Sequence, residues 1–108
     1  MNKLVLIICL LGISNTAFAE TNKEKFCQSM LEYSKSIMLK KQNGTPIDEA
    51  LRWSELATKD GPQALKDLGN VILRQAYELP SYSGADLKKK QYNDFIAYQY
   101  NFCMIHKK

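Results

Sequence analysis

From residue 22 onward, apolar positions recur at intervals of three and four, the period of a helix with one buried face. Phe26, Cys27, Met30, Leu31, Ser34, Ile37 and Met38 form the first such stripe. Thr21 stands three residues before Glu24, the spacing of a capping box that opens the helix. Asn43-Gly44 stops it, because glycine accepts the left-handed backbone at a helix end without steric cost. Thr45-Pro46-Ile47-Asp48 restarts the chain, with Thr45 as cap, Pro46 at the first helical position and Asp48 at the positive end of the dipole. This second helix turns Ile47, Leu51 and Leu56 inward, leaves Trp53 off that stripe and ends near Lys59. Asp60-Gly61-Pro62 repeats the device and introduces a third helix with Leu65, Leu68, Ile72, Ala76 and Leu79 inward. Pro80 ends it, since the residue before proline avoids helical geometry. Ser83 and Asp86 offer a capping pair for a fourth helix from about Ala85 to Ile105. Its inward positions are Leu87, Tyr92, Phe95, Tyr98, Phe102 and Cys103. No segment alternates with a period of two, so the expected class is all-α.

The first nineteen residues follow a different logic. Lys3 gives a short positive start, Leu4 to Ile13 are apolar apart from Gly12, and Ala17-Phe18-Ala19 supplies the small-x-small rule of a leader cleavage site. Residues 1–19 therefore read as a signal peptide cut between Ala19 and Glu20. The apolar stretch, about ten residues, falls well short of the roughly 20 that span a bilayer. Cys9 lies inside that stretch behind the bulky Ile8, which does not suit lipoprotein processing. The short charged start favours bacterial export and hence the periplasm, with secretion as the alternative. In a eukaryotic secreted protein Asn43-Gly44-Thr45 would be a glycosylation acceptor, although its stronger reading is a turn.

Composition adds the size class. The chain has 108 residues, 45% hydrophobic and 24% charged, which is one domain of ordinary globular make-up. The formal charge is +4, and losing Lys3 with the leader leaves +3 on a mature domain of residues 20–108. Two cysteines remain, Cys27 and Cys103, and an exported chain with two cysteines most simply forms one disulfide. Short connections put successive helices antiparallel. In an up-down-up-down four-helix bundle, the start of the first helix and the end of the fourth share one end, where Cys27 and Cys103 fall. The expectation is a small bundle stapled by Cys27–Cys103.

The chemical inventory is thin. His106, the only histidine, lies two residues from the C-terminus. No serine stands in a Gly-x-Ser-x-Gly turn, and no spacing suits a bound metal. Glu32, Glu49 and Glu55 are the carboxylates that an acid/base pair for glycan hydrolysis would draw on, but helical carboxylates are ordinarily solvated. The expectation is no catalytic residue, no metal and no cofactor. Nucleic acid is not an expected partner either: Arg52 and Arg74 are the only arginines, and planar phosphate contacts favour that residue. Lys88-Lys89-Lys90 is the one basic run, placed where the helix dipole disfavours cations.

Aromatic residues are the remaining signal. Tyr77, Tyr82, Tyr92, Tyr98 and Tyr100 crowd the last third of the chain, beside Phe95 and Phe102. Tyr98 and Tyr100 stand about 200° apart round a helix, so both cannot face the interior. Tyrosine and tryptophan are enriched in protein-binding hot spots. Trp53, Tyr82, Lys88, Lys89, Lys90, Tyr92 and Tyr100 are accordingly the candidate partner-binding residues.

Ser36-Ile37-Met38-Leu39-Lys40-Lys41-Gln42-Asn43-Gly44, then Ala76-Tyr77-Glu78-Leu79-Pro80 and the closing Phe102-Cys103, resemble small exported helical proteins of proteobacteria and their phages, which carry an early and a late cysteine. These proteins are mostly without an assigned activity. The resemblance implies a periplasmic helical domain and carries over no functional residue. The leading functional expectation is a non-catalytic binding protein, similar in size and chemistry to periplasmic immunity proteins and inhibitors of wall-active enzymes or toxins. Its partner would be another protein, with a second copy of the chain also admissible, and the cleaved chain would not insert stably in a membrane. One alternative is an acid-stress chaperone of the disulfide-stapled helical kind, from which this chain departs in having Phe26 rather than tryptophan before Cys27. Another is a small wall-active enzyme or toxin.

Overall fold

The computed structural model describes residues 22–106. The expected leader, its expected cleavage site and the expected Thr21 cap fall outside these. Four helices make up the described chain: α1 (Asn22–Gln42), α2 (Ile47–Thr58), α3 (Gln63–Glu78) and α4 (Ala85–His106). No strand occurs among the described residues. They form a small up-down-up-down bundle stapled between Cys27 and Cys103, with Cα atoms 5.6 Å apart. The staple joins the start of α1 to the end of α4. At the other end, Gln42 of α1 donates through Nε2 to the Lys88 carbonyl of α4 at 2.8 Å, which fixes the two helices as antiparallel.

Punctuation sets the boundaries. Gly44, with φ at +83°, is the only residue of positive φ in the described chain. Its N–H donates to the Lys41 carbonyl and the N–H of Thr45 to that of Lys40, so the last turn of α1 closes on itself. Pro46 stands one position earlier than the sequence reading placed it. It is the cap of α2 in extended conformation, and its carbonyl accepts from Glu49 and Ala50. Pro62 does the same for α3, accepting from Leu65 and Lys66. Neither helix has a side-chain cap, so Thr45 and Asp60 do not serve as expected. For α4 the Lys88 N–H bonds the Gly84 carbonyl, which puts Gly84, not Ser83, at the cap.

Packing centres on α1, which lies against α4 most extensively and also against α3, while α2 rests on α3. Cys27, Met30, Ile37, Met38, Leu73 and Ala76 form the heart of the core. The faces of α2 and α4 differ from the hydrophobic stripes. On α2 the buried line is Ala50, Ser54 and Thr58, while Ile47 and Leu56 are exposed, Leu56 to 65%. Small side chains at every fourth position let α2 approach its neighbours closely, and larger ones are pushed outward. On α4 the buried line is Gln91, Phe95, Gln99 and Cys103. Leu87, Tyr98 and Phe102 are exposed there instead of buried, and Leu79 at the end of α3 is exposed too.

A polar pin crosses the centre. The Tyr33 hydroxyl donates to the Gly69 carbonyl at 2.7 Å and lies 2.6 Å from Ser54 Oγ. Because a phenol has one hydrogen, Ser54 is the donor in the second bond. One side chain thus ties α1 to α2 and α3. A methyl group at Gly69 would stand 3.1 Å from the Tyr33 oxygen, so glycine there is what admits the ring.

Candidate functional site

The backbones of α3 and α4 stand apart, and what joins them is a side-chain bridge. Gln99 Nε2 donates to Gln75 Oε1 across the gap at 2.8 Å. On one side of that bridge lies an open groove of about 510 Å³ walled by Leu79, Tyr82, Leu87, Phe95 and Tyr98, with Lys90 and Asp94 at its edge. On the other, a smaller groove of about 160 Å³ runs between Phe26, Leu68, Ile72 and Phe102 toward the staple. Gln99 borders both. Together they form one apolar seam along α4.

Local structure explains why the seam is open. The loop from Leu79 to Gly84 is tethered to α4 by a polar contact at the Pro80 carbonyl. Gln91 Nε2 donates to the Pro80 carbonyl at 2.7 Å and its Oε1 accepts from Gln42 at 3.1 Å. Buried amides on α4 spend their contacts on loop and neighbour, so the large apolar side chains of that helix flank stay outside. Tyr98 is 56% exposed and stacks with Phe102, which in turn stacks on His106 at 4.0 Å between ring centroids.

The predicted partner-binding residues divide between this seam and other surfaces. Tyr82 and Lys90 line the larger groove. Lys88 is half-buried, its carbonyl taken by Gln42, and Lys89 is exposed on the other side of α4. Tyr92 and Tyr100 are half-buried and pack against the core, so of Tyr98 and Tyr100 the exposed one is Tyr98. Trp53 lies on α2, half-buried, its ring 5.6 Å from that of Tyr33 and with Lys40 Nζ 4.9 Å above it. The seven residues are thus not one patch. Missing from them were Leu87 and Tyr98, whose apolar character assigned them to the core; exposure could not be told from helical period.

Electrostatics around the seam are mild. Lys90 Nζ contacts Asp94 at 2.6 Å, and that hydrogen bond holds the ammonium pKa above its ordinary value. Among the described residues Lys41 is the one buried cation, 8% exposed, with its Nζ donating to Ser81 Oγ at 3.2 Å; burial pushes its pKa down. Glu32 is paired with Lys35 at 3.2 Å. Glu49 and Glu55 are exposed and stand about 120° apart round α2, which does not make them a facing pair. The exposed His106 points Nδ1 at the Phe102 carbonyl.

Among the described residues no group of three His, Cys, Asp or Glu is placed to hold a metal ion. No described helix is long and apolar enough to cross a membrane. Every buried side-chain nitrogen and oxygen described has a hydrogen-bond partner. What the arrangement offers is apolar surface with a thin polar edge. Compared with known proteins, the chain matches no family model, no curated protein and no solved structure.

Proposed function

We propose that this is an exported, non-catalytic protein that acts by occupying the surface of another protein, in the manner of an immunity protein or an inhibitor of a wall-active enzyme or toxin. The observation that carries this is the apolar seam along α4: large side chains stand outside on a helix whose buried line alternates Gln91 and Gln99 with Phe95 and Cys103. Contiguous exposed apolar surface marks interaction sites. The two thiols, Cys27 and Cys103, are engaged in the staple, and the Tyr33, Ser54 and Gln91 polar atoms are paired internally. The staple also fits an oxidising compartment, and we place the protein in the periplasm.

The test is inhibition of periplasmic wall-degrading enzymes by the purified mature chain, read as release of soluble peptidoglycan fragments. The account expects inhibition that saturates at a fixed molar ratio. Leu87→Asp reads the seam and Lys89→Glu the opposite flank of α4; one of them abolishes inhibition. Fragment release by the protein alone would instead make it an enzyme. Suppressed aggregation of acid-unfolded clients, without inhibition, would make it a chaperone.

A further inference from the structure

We infer that the occupant of the α3–α4 seam is a second copy of this chain, with the two α4 helices packed antiparallel about a twofold axis near residues 92 and 93. The inference rests on reading the seam as an interface and names what fills it in the free protein: a second copy, which a target protein displaces. Along its exposed flank α4 presents Leu87, Lys90, Asp94 and Tyr98 in that order. In an antiparallel pair centred between positions 92 and 93, residues whose numbers sum to about 185 face each other. Leu87 then meets the partner's Tyr98, and Lys90 meets the partner's Asp94. Reversed end to end, the row places apolar against apolar and cation against anion, which is the self-complementarity that a twofold interface demands.

The pattern extends beyond these four. Phe102 and Ile105 continue the exposed apolar surface toward the C-terminal end of α4, and Leu79 and Tyr82, which precede α4 in the connection from α3, wall the larger groove. Ile105 is 75% exposed, and no contact within one chain covers it to a greater degree. Within one chain the Lys90–Asp94 pair is in the less favourable order, lysine before the acid, and both side chains are largely exposed. In the dimer the same charges gain a second partner each. Lys89 follows Leu87 and Tyr100 follows Tyr98 by about 200° of rotation round the helix, which puts both on the opposite flank, so the dimer leaves that flank outside.

The experiment is the mass in solution of the purified mature chain by sedimentation or light scattering, over a range of concentrations, with helical circular dichroism as the folding control. The expected mass is that of two chains, falling to one in Leu87→Asp. Lys90→Asp and Asp94→Lys each run as single chains, and an equimolar mixture of the two restores the double mass, because the acidic row of one faces the basic row of the other. These two positions are solvent-exposed, so both variants fold. A wild-type mass of one chain at every concentration, a dimer that survives Leu87→Asp, or a mixture that stays monomeric would each overturn the inference. Since no other protein is present, such a result leaves the inhibitor reading to its own test.

Discussion

Tyr33 is where a single side chain does most to define the interior. Tyr33→Phe removes the second hydrogen bond at the Gly69 carbonyl and the acceptor for Ser54, leaving the buried Ser54 hydroxyl without that partner. The cost is about 1–3 kcal/mol, read as a lowered midpoint in chemical unfolding. Burial raises the Tyr33 pKa, against a smaller lowering by the Ser54 bond, and burial with the Glu49 charge raises that of Tyr77. Above the ordinary tyrosine value the unfolded chain loses its phenolic protons first, so stability present below about pH 10 falls as pH rises further. Tyr33→Phe should make that alkaline fall shallower. At Gly69, alanine would improve helix propensity by about 1 kcal/mol but crowd a phenol oxygen already fixed by two bonds. Crowding wins, and Gly69→Ala is expected to lower the thermal midpoint. Lys41 runs the other way: its pKa is lowered by burial, so at neutral pH the charged form is a net cost that diminishes as pH rises toward the ordinary lysine value. Lys41→Met should therefore raise stability, by about 1 kcal/mol, in thermal melts near pH 7.

At the level of elements, the helix ends were legible and two of the helix faces were not. Gly44, Pro46, Pro62 and Pro80 act through backbone geometry, which is local and survives any tertiary context; the four observed spans follow from them to within one or two residues. Gly44→Ala should cost about 1–2 kcal/mol, the penalty of a side chain in left-handed geometry, even though open space surrounds the position. The face of α2 was misread because close helix approach selects Ala50, Ser54 and Thr58, and size, not hydrophobicity, is the criterion there. The face of α4 was misread because Gln91 and Gln99 look like solvated residues until their partners, Pro80 and Gln75, are known. Those partners are 11 and 24 residues away in sequence. Of the candidate site, Tyr82 and Lys90 were legible as an aromatic and a cation in one region. The seam itself was not, because it exists only through the separation of α3 from α4.

For the molecule as a whole, the pairing of Cys27 with Cys103 was legible from there being two cysteines after residue 19, and short loops and four helices independently bring the start of α1 and the end of α4 together. The bond closes a separation of 76 residues. The chain-entropy model gives roughly 4.5 kcal/mol for such a loop, and removing native disulfides costs about 2–5 kcal/mol. Cys27→Ser is therefore expected to lower the melting midpoint by about 10 °C or more, and reductant to do the same to the wild type. The proposed export and the staple belong together, and the intact mass of the native polypeptide recovered from its cells tests both most directly. The account predicts a chain that begins at Glu20 and is two hydrogens lighter than its reduced form. A chain that retains Met1 and carries both Cys27 and Cys103 as free thiols would contradict it.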